Sequence, residues 1–365
     1  MEYSIRENNF GDKDLIDNFN KELNSHGFNF NLPQYNKELS NENNFIFERR
    51  YILTENNNAI KAGYNLKYQW FKVNDNLVQL GYYYNPITAG LFNKKYNICG
   101  ILLLNDANKK KRDLFSLGMG GYSEPLPKLL KGMKWELEKI PFFFKVIHPY
   151  IFLKNIKYLR NSKLKSVLID LVTITGLGWL GIKFINFFLH IFNFKKKNYE
   201  LDVEEIKIAN EDYDKLWEKT KNYNSFIAVR NSKYLNTLYS QTRFIKLKFT
   251  HNKEMVGWSI SLCTKLNNHK QFGNMLLGSI VDCLSLKNYE AEIVNETTEI
   301  LKKKGSNLIV SNQSHSFWQN AFKKNIFIRG ISNFIFASSK SLNDKIKTKS
   351  YMHITRGDGD GPINL

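Results

Sequence analysis

Cysteine is scarce in this chain of 365 residues: there are three, Cys99, Cys263 and Cys283, with no CxxC spacing and no histidine pair nearby. That excludes a disulfide framework and a thiolate zinc site, and it points to a reducing compartment. Acidic residues are also few, 34 against 53 lysines and arginines, which leaves a formal charge of +19. Long apolar runs are missing as well. The uncharged run Leu171–Ile182 has twelve residues before Lys183, whereas a membrane-spanning helix needs about 20. The first residues, MEYSIRENNFGDKD, are polar and lack the apolar core of a secretory signal, so the expected location is cytoplasmic. The tail TRGDGDGPINL alternates Asp and Gly but lacks the spaced ligands and closing glutamate of a calcium loop, so no metal is expected.

What is present is enough for folded domains. The chain is 42% hydrophobic and 14% aromatic, and its length suits two domains with separate cores. The positive charge is concentrated. From Phe142 to Tyr199 ten basic residues face a single acid, Asp170. Such a balance suits an anionic partner, which can be a phosphorylated cofactor, a nucleic acid or an acidic membrane. Within this middle, Phe184, Phe187, Phe188, Ile191 and Phe192 share one helical face, and Lys183, Asn186, His190, Asn193 and Lys197 share the other. That pattern describes a helix lying in a membrane surface or one docking between domains.

Hydrophobic periodicity and turn signals divide the chain at this middle. The first half reads as a helix over 12–24, strands at Phe45–Leu53, Ala59–Val73 and Leu77–Tyr84, a helix from Leu91, a strand at Arg112–Gly118, a short helix from Pro125 and a buried strand over Ile140–Ile147. The second half reads as helices over 204–221 and 232–239, then strands at Phe244–Thr250, Met255–Lys265 and Asn274–Leu286. A helix over 289–304, a strand at Asn307–Ser311, a helix over Ser316–Lys324 and strands at Ile331–Ser338 and Tyr351–Thr355 follow. The order of elements repeats between the halves although residue identity is slight. The expected fold is therefore α/β, or α+β. It has a first domain at 1–150, a hydrophobic and basic helical linker at 151–200, and a second domain at 201–365.

The turn YNPITAG, Tyr84–Gly90, stands where a strand runs into the crossover helix. Backbone N–H groups at such a helix start hold phosphate or a carbonyl oxygen without any charged side chain. Tyr84, Asn85, Thr88, Ala89 and Gly90 are the candidate cradle, the alternative being an ordinary turn shaped by Pro86. The bend LGMGGYSEP, Leu117–Pro125, follows the next strand. There Tyr122 and Glu124 are candidates for acid and base, or belong to a plain glycine-rich loop. His315, in SNQSHSFW, follows the matching strand of the second half and is a third candidate base, the alternative being a surface or capping histidine. Arg356, Asp358 and Asp360 of the tail are candidates for meeting a polar substrate.

By this order of elements, the chain resembles the GNAT superfamily of N-acetyltransferases in a tandem form, and is similar to tandem acyltransferases related to the FemAB peptidoglycan-modifying enzymes. The resemblance implies two GNAT-like domains, each a mixed, mostly antiparallel, twisted sheet flanked by helices. It further implies that Tyr84–Gly90 matches the family's Q/R-x-x-G-x-G/A pyrophosphate loop through Ala89 and Gly90. The matching place in the second half, LSLKNYEAE at Leu284–Glu292, has two acids and no glycine and would repel phosphate. The family's thiolate-protonating tyrosine falls on Lys128 in one half and Phe322 in the other, which leaves Tyr122 or a water for that role. Acetyl-CoA or another acyl-CoA is thus the expected donor, and an amine- or hydroxyl-bearing acceptor, such as a sugar or glycan precursor, is expected in a cleft between the domains. The alternatives are a FemAB-like transferase using aminoacyl-tRNA, and a non-catalytic protein at the inner face of the membrane.

Overall fold

The computed structural model describes residues 2–157, 199–346 and 351–359, less Asn43 and Asn57, together with positions 160, 169, 173 and 175. The amphipathic stretch expected over 183–197 lies outside the described residues, as does Asp360. Two compact units result: Met1–Lys139 with Asn333–Lys349, and Ile140–Ser332 with Ser350–Leu365. Each is built from two pieces of chain, which differs from the contiguous division expected at 150.

In chain order the first elements are β1 (Tyr3–Glu7), α1 (Lys13–Ser25), β2 (Phe47–Glu55), β3 (Ala59–Val73), β4 (Asn76–Thr88), α2 (Cys99–Lys110), β5 (Leu114–Gly118), α3 (Pro125–Gly132) and β6 (Glu136–Lys139). Then come β7 (Phe142–Val146), α4 (Pro149–Asn155), β8 (Asp202–Glu205), α5 (Glu211–Thr220), β9 (Phe226–Ala228), α6 (Ser232–Leu238), β10 (Ile245–His251), β11 (Glu254–His269) and β12 (Gly273–Ser285). The chain closes with α7 (Glu290–Lys303), β13 (Leu308–Asn312), α8 (Ser316–Lys324), β14 (Ile328–Gly330), β15 (Ile335–Ser338), α9 (Lys340–Lys345) and β16 (Met352–His353). No helix among the described residues is long and apolar enough to cross a membrane.

The first unit is a mixed sheet in the order β1-β2-β3-β4-β5-β15-β6. Helix α1 buries Ile16, Phe19 and Leu23, and α2 buries Leu103, Leu104 and Ala107. Both helical stripes join one core with Leu53, Tyr64, Leu66 and Tyr83 of the sheet. The second unit is a mixed sheet in the order β14-β7-β13-β12-β11-β10-β8. Ile293 and Leu301 of α7 and Trp318 and Phe322 of α8 pack with Phe249, Ile280 and Ile309 of that sheet.

The repeat seen in the order of elements reaches individual residues. In each unit one parallel strand pair brackets the crossover helix, β4 with β5 and β12 with β13. Gly81 pairs with Leu114 and Gly278 with Ile309. A Cβ on Gly81 would lie 2.7 Å from Leu114 Cδ2, and one on Gly278 would lie 2.8 Å from Ser306 Oγ. Two residues further on, a buried serine closes each pair. Ser116 Oγ donates to the Tyr83 carbonyl at 2.6 Å, and Ser311 Oγ to the Ile280 carbonyl at 2.8 Å. Beyond that point the longer strand bulges in both units. Asn85 and Pro86 together oppose Tyr64, and the β11–β12 register jumps at Val281.

Several expectations are corrected by this geometry. Tyr84–Thr88 is not a turn. Strand β4 runs on to Thr88 through the bulge, where Asn85 takes the left-handed region at φ 51°, which asparagine tolerates. Two short 3-10 turns, Ala89–Leu91 and Lys94–Tyr96, then lead to α2, which starts at Cys99 rather than Leu91. The helix expected over 204–221 begins at Glu211, where Asn210 caps it by accepting from the Asp212 N–H. The residues before it form edge strand β8, because β10 offers them an unpaired ladder. The polar N-terminus forms β1 against β2 for the same reason: backbone pairing at an edge does not need apolar side chains.

Removing either closing hydroxyl leaves a buried carbonyl without its partner. Ser116→Ala and Ser311→Ala should each lower the unfolding free energy by about 1–2 kcal/mol in urea titrations. Ser123→Ala, at an exposed position, should change nothing measurable.

Candidate functional site

The two crossover helices begin differently. Helix α2 has Ile98 at its N-cap, with no side-chain cap and no acid in its first turn. A Cβ on Gly100 would meet only Leu129 Cδ2, at 3.5 Å, so the start of α2 is open. Ile98 and Lys94 beside it are exposed, while Cys99 is buried and the Ile101 N–H already donates to the Ile98 carbonyl at 3.0 Å, so the positive end of the dipole is marked by Cys99 and Gly100. Helix α7 carries Glu290 and Glu292 in its first turn. Glu292 is buried, and burial raises the Glu290 pKa. Those carboxylates occupy the positive end of the dipole themselves.

The cradle residues take distinct places around β4 and α2. The Tyr84 ring stacks on Tyr82 at 4.9 Å, and its hydroxyl donates to Glu48. Asn85 sits in the bulge, and its side-chain amide donates to the Asn31 carbonyl at 3.4 Å. Ala89 is core, 1% exposed. Gly90 is a packing glycine: a Cβ there would lie 3.0 Å from the Tyr96 carbonyl and 3.1 Å from Thr88 Oγ1. The residue that leaves space at the helix start is Gly100, which sequence reasoning missed. Its only signal was a glycine in the first turn of a helix whose boundary had been set too early.

Tyr122 and Glu124 follow the bend after β5. Met119, Gly118, Gly120 and Gly121 all have positive φ there, so the chain coils sharply before α3. Tyr122 is 43% exposed, its hydroxyl donates to the Leu137 carbonyl at 3.4 Å, and Lys139 Nζ stands 5.0 Å from its ring. Its pKa is raised by partial burial and by Glu138 and Glu136, which suits a proton donor. Glu124 is exposed at the N-cap of α3. Lys128 is exposed on that helix, and Phe322 is fully buried in the second unit.

The second-unit candidates lie in a buried polar cluster. His315 is the N-cap of α8, with Nδ1 accepting from the Phe317 N–H at 3.3 Å. Its Nε2 and that of His353, 5.9 Å away between ring centroids, have no partner among the described residues. Burial pushes the His315 imidazole down to about 4, so it is neutral and only weakly basic. Burial and the Arg230 charge hold His353 well below its ordinary value. Asp358 is 1% exposed and paired with Arg230 at 3.0 Å, and Arg230 also pairs with Asp282 at 3.1 Å. Thr355 and Tyr239 donate to Asp282, each at 3.0 Å. One guanidinium thus serves two buried carboxylates, and desolvation with the Asp282 charge pushes Asp358 up to about 6. Arg356 donates from Nε to Asn312 Oδ1 at 2.8 Å. His315 and Asp358 therefore share one cluster, which the sequence placed apart. Among the described residues no group of three metal-ligating side chains forms.

No family model matches the chain, and no curated protein matches it in sequence. Solved structures do match. A probable N-acyltransferase from Enterococcus faecalis V583 superposes with a TM-score of 0.53 at 7% identity, over 95% of this chain and 74% of that one. A GCN5-related N-acetyltransferase from Anabaena variabilis gives 0.52 at 8% identity, over 92% and 72%. The N-myristoyltransferase of Saccharomyces cerevisiae, solved with bound myristoyl-CoA, gives 0.50 at 10% identity, over 92% and 78%. The chain has the GNAT fold in two units, each a mixed sheet flanked by helices.

The histidine cluster sets an acid limit on stability. Unfolded imidazoles titrate near 6.5, so below that pH the unfolded chain binds two protons that His315 and His353 refuse when folded. Asp358 acts in the opposite sense, because folded it takes up its proton near pH 6 while the unfolded carboxyl waits until about 4. The balance favours proton uptake by the unfolded state between about pH 6 and 4, so stability falls as the pH drops through that range. Chemical denaturation from pH 7.5 to 4.5 should show that decline. A His315→Gln/His353→Gln variant should show a shallower one, and an equal slope would refute the assignment.

Proposed function

We propose that the protein transfers an acyl group from acyl-CoA to an amine or hydroxyl, with the CoA phosphates held at the start of α2 in the first unit. The observation that carries this reading is the contrast between the helix starts: α2 is open and free of acids in its first turn, and α7 is filled by Glu290 and Glu292. The fold shared with an N-myristoyltransferase solved with bound myristoyl-CoA and with a GCN5-related N-acetyltransferase supports it. The donor is acetyl-CoA or a longer acyl-CoA, acting as substrate.

In this reading the acceptor attacks the thioester carbon, its proton passes to Glu124, and the departing thiolate takes a proton from Tyr122. The Asn85 N–H at the β4 bulge is the donor assigned to the carbonyl oxygen as it gains charge, since Pro86 beside it has none. A sugar or glycan-precursor acceptor rests on the FemAB-like resemblance alone, so acceptor screens should begin there.

Gly100→Glu separates this site from the rest of the fold. A glutamate in the first turn favours a helix, so thermal stability should hold or rise while calorimetric binding of acetyl-CoA and myristoyl-CoA falls about tenfold or more. Wild-type protein that binds neither, or a variant that binds like wild type, would sink the reading. With an acceptor in hand, Tyr122→Phe should reduce kcat about 10²-fold at unchanged KM.

A further inference from the structure

An open groove of about 780 Å³ lies in the first unit away from the start of α2, between the sheet and the C-terminal end of that helix. From it we propose a second small-molecule site, for a planar ring that bears an anionic group. The volume falls within the range usual for ligand pockets, about 300–1,000 Å³.

Its wall is aromatic and held in place. Phe47, Arg49 and Tyr51 alternate onto one face of β2, opposite Tyr68, Leu66 and Tyr64 of β3. Phe47 stacks on Tyr68 at 4.6 Å and Tyr51 on Tyr64 at 5.0 Å, while the Tyr51 hydroxyl donates to Tyr68. Phe47 and Tyr51 are buried with ring faces taken by their stacking partners, so the wall offers ring edges and the half-buried Tyr68 to a planar ligand.

Its other side is cationic. Lys110 Nζ stands 4.6 Å from the Tyr51 ring centroid and 3.5 Å from Asp106. Lys111 lays its stem against Gly81, is partly buried, and makes no side-chain hydrogen bond or salt bridge among the described residues; the nearby Asp113 carboxylate attracts it but is itself held by Ser341 and Lys345. A partly desolvated ammonium that shares its one nearby carboxylate with Lys345 is still costly, and an anion beside it lowers that cost. The run Lys109–Arg112 outweighs the roughly half negative charge at the end of α2. Arg49 does not compete for the ligand, because its two terminal nitrogens are bound to Glu7 and Glu42. Those acids make the far rim negative, so the anionic group of a ligand is directed to the lysines and its ring to the aromatic wall.

The site is tested by calorimetry on the full chain with adenosine 5′-monophosphate and indole-3-acetate, each beside its uncharged counterpart, adenosine or indole-3-acetamide. At least one anion should bind below about 1 mM, its counterpart about tenfold more weakly or less. Lys111→Met keeps the stem over Gly81 and should weaken the anion about tenfold, while Gly100→Glu should leave it unchanged. Binding of neither anion overturns the proposal. So does unchanged binding in Lys111→Met, or a loss confined to Gly100→Glu, which would assign the ligand to the start of α2 instead.

Discussion

Each unit depends on one short parallel contact. A crossover helix must return the chain beside the strand it left, and a glycine on the longer strand leaves room for a side chain of the returning segment, Leu114 in one unit and Ser306 in the other. Gly81 and Gly278 do this, and Ser116 and Ser311 fasten the pair two residues later by bonding a carbonyl of the longer strand. Beyond the serine the ladder ends and the strand bulges, by Asn85 and Pro86 in one unit and at Val281 in the other. The bulge redirects the chain toward the helix start. Position of the candidate site and of its counterpart in the second unit therefore follows from a glycine, a serine and a bulge.

The two units then diverge in electrostatics. In the first, the start of α2 is left without acids, while aromatic rings and lysines line an open groove at its other end. In the second, acids fill the helix start, and the tail returns to place Asp358 on Arg230 beside Asp282. Burying three charged groups and two neutral histidines is expensive, and removing one member of such a network is usually more damaging than never having built it. Gly357 shows how closely the tail is fitted: a Cβ there would lie 2.0 Å from Tyr239 Oη. The second unit is thus organised around a buried polar centre and the first around an accessible helix start.

Much of the fold was legible from local pattern. The alternation over Ala59–Val73 and the 3.6-residue stripe of Ser316–Lys324 gave both elements with their observed bounds. Edge strands were not legible, because β1 and β8 are defined by the backbone of a neighbour rather than by their own side chains. The candidate site was half visible. YNPITAG lies on the approach to α2, yet Pro and Asn signal a turn and a bulge equally well, and only the partner strand tells them apart.

By itself the sequence determined the class of fold, the repeat of elements and the absence of acids where the first crossover helix begins, since periodicity, turn residues and charge are local properties. Only the tertiary structure decided that Gly100 rather than Gly90 leaves space, that Lys111 lines an open groove, and that His315 and Asp358 share a buried cluster. Those facts depend on which atoms lie within a few ångströms across the fold, and residues as far apart as Arg230 and Asp358 meet only when the strands between them have paired.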